Sequence, residues 1–203
     1  MTTGAVVTGP VQSSLAGLIA RVFAWLPVTF AIWYVAAPIL LWPAAFLAEV
    51  IGRWAWPDII RLVEHARAEL TFVTTLKAGL AGAPGGEIVV GVDLLLYSFG
   101  LPLYAALVLA AREPGSPRRL FIGYAVLIPF VAWGALADFL KSIAITMGPK
   151  IASQTGFVAW QREAIAFSYQ FGALILPTVV PLVVWVVTHR ALLERLRSRS
   201  RTA

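Results

Sequence analysis

Residues 22–48 read VFAWLPVTFAIWYVAAPILLWPAAFLA, and this stretch decides the fold. It runs for 27 residues without Asp, Glu, Lys, Arg or His, whereas a helix needs only ~20 apolar residues to cross the hydrocarbon layer. The solvent of this chain is therefore the bilayer. Pro27, Pro38 and Pro43 interrupt the run, and carbonyls freed by proline must find partners at membrane depth. The stretch is thus expected to be a packed span rather than a lone helix in lipid.

The rest of the chain agrees. Of 203 residues, 60% are hydrophobic and 13% charged, about half the charged fraction of a soluble domain, and the mean hydropathy is +0.83. The net charge of +6 is not gathered into a basic stretch interleaved with aromatics, so nucleic acid is not an expected partner; membrane lipids are. There is no cysteine, which removes disulfides, thiolate metal sites and a cysteine nucleophile together. The first 20 residues contain no Lys or Arg, and the run that follows is far longer than the 7–15-residue core of a signal peptide, so an uncleaved first helix is expected.

Four apolar runs predict four transmembrane helices, at about 22–48, 94–111, 120–137 and 164–188. They form one membrane domain over 22–188, with a tail at 1–21 and a basic tail at 189–203. Residues 1–14 read as a loose tail. If 112–119 and both termini lie on one side, that side holds nine basic and two acidic residues, against seven basic and eight acidic on the other. The positive-inside rule then places both termini in the cytoplasm.

Two segments face outward. In the insert 52–93, Trp56-Pro57-Asp58 predicts a helix start, and Ile59, Leu62, Val63, Ala66 and Leu70 recur at helical spacing. LTFVTTLK (70–77) and EIVVGVD (87–93) read as the strands of a β-hairpin around a Gly/Pro-rich loop at 78–86. The predicted fold is accordingly an all-α polytopic membrane protein with a small outward helix plus β-hairpin insert. The second outward segment, 138–163, contains a helix-breaking Gly148-Pro149. Trp54, Trp56 and Trp160 are placed as membrane-interface anchors.

Candidate chemistry is sparse. His65 and His189, the only histidines, lack a second ligand at metal spacing, so no metal site is expected. A serine–histidine hydrolase fails because neither histidine lies inside a span. Asp138 and Lys141 share a helix face at i,i+3 near the membrane edge and are read as a local ion pair. Gln161, Arg162 and Glu163 precede the fourth span at the same face, and Gln170 lies inside that span. These six residues form the candidate partner or packing cluster. As an active site they would lack a nucleophile, so no catalytic residue, cofactor or enzyme activity is expected. An alternative is a small membrane transporter or channel subunit with Asp138, Lys141 and Gln170 along its pathway.

Four stretches carry a resemblance: WLPVTFAIWYVAAPILLWPAAFLAE (25–49), LLLYSFGLPLYAAL (94–107), IPFVAWGALADFLKSIAITMGP (128–149) and GFVAWQREAIAFSYQFGALILPTVVPLVVW (156–185). Together they resemble the exosortase H-associated membrane proteins, from about Phe23 to Arg190. The densest polar matches are Trp133-Gly134, Asp138, Lys141, Met147-Gly148-Pro149, Trp160 to Glu163 and Tyr169 to Gly172. The resemblance implies a bacterial inner-membrane protein associated with an exosortase, the membrane enzyme that processes C-terminal sorting tails. It implies an accessory subunit rather than the enzyme, since exosortases resemble sortases in using a cysteine that this chain lacks.

Overall fold

The structure is a computed structural model describing residues 15–78, 86–192 and 194. The expected loose N-terminal tail, most of the 78–86 loop and most of the basic C-terminal tail lie outside the described residues. The chain is mainly helical, with one small sheet: α1 (Leu15–Leu40), α2 (Trp42–Ala55), β1 (Ile60–Ala66), β2 (Glu69–Lys77), β3 (Glu87–Asp93), α3 (Leu95–Ser98), α4 (Gly100–Ala111), α5 (Ser116–Lys141), α6 (Pro149–Ala152), α7 (Ala159–Gln170) and α8 (Leu176–Thr188). Three helical stretches are long and apolar enough to cross a membrane: Ala16–Leu40, Ser116–Thr146 and Ala159–Thr188. The fourth apolar stretch, Leu95–Ala111, is shorter.

The 22–48 run is divided between two helices. It breaks at Leu41, two residues before Pro43 in the first turn of α2, where the missing N–H costs nothing within the new helix. The Tyr124 hydroxyl of α5 donates to the Leu40 carbonyl at 2.7 Å, so a neighbour satisfies the backbone at the break. Beyond it, Ala44, Ala48 and Gly52 recur every fourth residue and are buried along α5. Lipid gives helices no hydrophobic reason to associate, so small residues that let backbones approach decide which faces meet.

That rule makes α5 the axis of the fold. From Val131 to Leu140 only Trp133 is exposed, and α2, α4, α7 and α8 all pack on this helix. The tyrosine ring of Tyr104 on α4 occupies the place a side chain would take at Gly123. Pro181 on α8 has no N–H to offer the Pro177 carbonyl, and that oxygen lies where a Cβ on Gly100 of α4 would come within 2.5 Å. A glycine there lets the two helices close over the freed carbonyl.

The insert is a three-stranded antiparallel sheet in the order β1-β2-β3. The expected hairpin is present as β2 and β3. The expected helix from Trp56 is not: residues 60–66 form an edge strand instead. The reason is a β-bulge. Ile60 pairs with Thr74 and Leu62 with Val73, so two steps on β1 match one on β2. This puts Ile60 and Val63 on the buried face at a spacing of three, which imitates helical periodicity. The strand then reverses at Arg67, whose φ of 54° is left-handed. One sheet face packs on α2 and α5, with the Phe72 ring stacked 4.3 Å from that of Phe139. Gln154 fastens the end of β2 by pairing its amide with both the N–H and the C=O of Lys77, each at 3.0 Å.

Candidate functional site

A polar cluster lies where α3, α5 and α7 converge near the sheet. Its centre is Asp138, whose carboxylate meets Lys141 Nζ at 3.0 Å, one helical turn on. The ammonium sits 3.8 Å from the centroid of the Tyr169 ring, a cation–π contact. Tyr97 completes the group: it is buried, and its hydroxyl neighbours both Asp138 and Tyr169. Each charge therefore has an opposite charge, and each aromatic hydroxyl has polar company, with Lys141 and Asp138 only partly exposed. Such pairing is what makes ionisable groups tolerable in this setting.

The backbone around the cluster is shaped to hold it. A Cβ on Gly134 would lie 2.5 Å from the Tyr97 ring, and one on Gly172 would lie 3.2 Å from the Gly134 backbone. Gly134 thus makes room for the tyrosine on one side and for the returning helix on the other. Both helices widen to π geometry close after their cluster residues, at Ser142–Thr146 immediately after Lys141 and at Phe171–Ile175 shortly after Tyr169. π turns are rare and concentrate at functional positions. Here two of them flank one cluster.

The other candidate residues are placed differently. Gln161 accepts the Val158 N–H at 3.0 Å and so caps the start of α7. Arg162 donates to the Ala152 carbonyl at 3.5 Å, leaving its buried Nε without an acceptor. Glu163 and Gln170 are exposed. Among the described residues, Asp138 and Lys141 form no ion pair with Arg162 or Glu163. Trp54 and Trp160 are strongly exposed at the sheet end of the helices, while Trp56 packs on the core. His65 meets Glu49 at 2.9 Å, tying β1 to α2. No group of three metal-ligating side chains occurs among the described residues.

Sequence reasoning passed over Tyr97, Gly134 as its seat, and Gln154. Tyr97 carried a usable signal: a lone phenol in LLLYS needs a hydrogen-bonding partner when buried, and Asp138 is the nearest acid at comparable depth. Gln154 carried none, because nothing in SQTG marks a side chain that will clamp a strand.

A second cluster lies at the opposite end. His189 is only 1% exposed. Its Nδ1 lies 3.0 Å from both the Trp185 carbonyl and the Thr188 hydroxyl, and its ring stacks on Trp185. Burial holds its pKa below the ordinary histidine value, with nearby Arg119 acting in the same direction, while the Trp185 carbonyl and Glu113 oppose. Glu113 and Arg119 pair at 3.1 Å, and the Tyr104 hydroxyl donates to the Arg119 carbonyl at 2.9 Å.

Comparison with known proteins supplies the remaining constraint. No curated protein and no solved structure matches the chain. The family model described as exosortase H-associated membrane protein matches residues 12–192, a span that includes both clusters, the sheet and every described helix. The chain belongs to the exosortase H-associated membrane protein family.

Proposed function

We propose that the protein is a non-catalytic accessory subunit of an exosortase-type protein-sorting system in the bacterial inner membrane, presenting its sheet outward to the partner or its substrate. The observation that carries this reading is the construction of the sheet end. The sheet is rigidly seated by Phe72 on Phe139 and by the Gln154 clamp, yet its far face leaves Leu62 and Val89 exposed on either side of Val73. A folded platform that holds two exposed apolar side chains, Leu62 and Val89, on either side of the buried Val73 is suited to another protein. Family membership names the kind of partner.

Four spans with both termini in the cytoplasm form part of the proposal. β3 packs on the C-terminal part of α5, and α5 begins only a short turn after α4 ends. Leu95–Ala111 must therefore cover most of the height of α5, about 25 Å at 1.5 Å per residue. The basic 112–119 turn then lies on the cytoplasmic side. The accessory role is supported by the absence of cysteine and by the mutual satisfaction of Asp138 and Lys141. A transport pathway through that pair is less economical, since Tyr97 and Tyr169 already enclose it.

Co-purification of the tagged chain with an exosortase in mild detergent tests the reading. Leu62→Asp combined with Val89→Lys should lower capture on the order of tenfold, as expected for losing an apolar contact, while leaving the thermal melt unchanged. Undiminished capture by that variant would remove the sheet from the contact. Proton or solute flux in vesicles, abolished by Asp138→Asn without loss of folding, would favour transport instead.

A further inference from the structure

An apolar groove of about 450 Å³ opens between α1, α4 and α5, within the size range of small-molecule sites. Its walls include Thr29, Trp33, Tyr104, Leu109, Phe121 and Tyr124. Three of these carry hydroxyls, and all three are turned into the protein's own backbone. Thr29 donates to the Trp25 and Leu26 carbonyls, Tyr104 to Arg119, and Tyr124 to Leu40. The wall presented to an occupant is therefore dry. One donor remains, the Trp33 indole N–H, buried without an acceptor. The groove flanks a helix long enough to span the membrane, so it faces hydrocarbon rather than water.

One end of the groove has a charge signature. Leu109 and Leu120 lie at that end. Beside them, Arg21 donates from Nε to the Ala110 carbonyl at 2.9 Å. Arg112 and Arg118 are exposed and, among the described residues, have no acidic partner. The nearby acid, Glu113, is taken by Arg119. An uncompensated basic rim beside a dry groove at membrane depth is complementary to one kind of molecule, with a negative head and a hydrocarbon tail.

We propose that this groove binds an anionic phospholipid, with an acyl chain between α1, α4 and α5 and its phosphate against Arg21, Arg112 and Arg118. A polar solute is disfavoured because the hydroxyls are already spent. A neutral phospholipid fits the groove but not the rim. The site is separate from the sheet face, so its test does not depend on partner capture.

The test uses the full chain in nanodiscs made from equal amounts of phosphatidylglycerol and phosphatidylcholine, released into mild detergent and weighed intact. One retained phosphatidylglycerol per chain is expected, favoured over phosphatidylcholine on the order of tenfold, as two or three arginines near a headgroup would give. Ala105→Trp, which fills the groove, should abolish retention. Arg112→Gln with Arg118→Gln should keep a bound lipid but lose the headgroup preference, and these exposed positions leave folding intact. The proposal is overturned if the wild type retains no lipid, or if the arginine variant selects phosphatidylglycerol as before. Equal retention by a folded Ala105→Trp protein would also overturn it.

Discussion

Helices α1 and α5 are each 26 residues long and proline-containing, yet they occupy opposite positions in the molecule. In the most apolar window of each span, half of the α5 residues are buried but only 11% of those in α1. Hydropathy does not distinguish them, because lipid and protein interior are equally apolar solvents. Small residues do. Gly123, Ala132, Gly134, Ala135 and Ala137 let four helices approach α5, whereas α1 turns Phe23, Ile32, Tyr34, Val35 and Ile39 outward. The lesson is that a membrane span becomes core through close backbone approach and shape, and that a long uncharged stretch can remain at the edge.

The strongest way to break this contrast is to empty the axis. Phe139→Ala removes a fully buried ring stacked on Phe72 and is expected to cost about 3–5 kcal/mol. In detergent titrations it should release the sheet, read as rapid proteolysis within 60–93. Gly134→Val should cost about 1–3 kcal/mol by driving a methyl into the Tyr97 ring. A similar loss, about 1.5–3 kcal/mol, is expected for Lys141→Met, which leaves Asp138 without its cation; adding Asp138→Asn should recover part of it. If the double variant is no better than the single one, the pair is not a closed unit.

A smaller, pH-dependent effect belongs to the far end. His189 is held neutral by burial, so the unfolded chain binds its proton more readily than the folded one. Its stabilising contribution is complete above the ordinary histidine pKa of about 6.5 and is lost progressively as pH falls below that value. A melt series from pH 7.5 to 5 should show the loss, and His189→Gln should flatten it. Smallest of all, Val35→Ala on α1 should change stability by no more than about 0.5 kcal/mol, because that side chain exchanges lipid for lipid.

Much of this was legible beforehand. The apolar runs marked the helices, and Asp138 with Lys141 declared an ion pair by spacing. Strands β2 and β3 were visible through their β-branched residues. Strand β1 was not, because a bulge between Ile60 and Leu62 shifts its buried residues to an interval of three. The division of 22–48 was hidden as well, since prolines occur within membrane helices and only the Tyr124–Leu40 contact shows which one ends a helix. The site was half legible: charges announce themselves, but Tyr97 and Gly134 acquire meaning only when three helices meet.

The absence of cysteine makes the central claim directly measurable, because a single introduced cysteine can carry a spin label anywhere in the chain. Oxygen accessibility should be recorded in nanodiscs for labels along 31–39 of α1 and 131–140 of α5. The account predicts high collision rates at positions 31, 32, 34, 35, 38 and 39, intermediate rates at Trp33 and Ala36 and a minimum at Ala37, against low rates throughout the second series except at Trp133. Indistinguishable profiles for the two helices would contradict it.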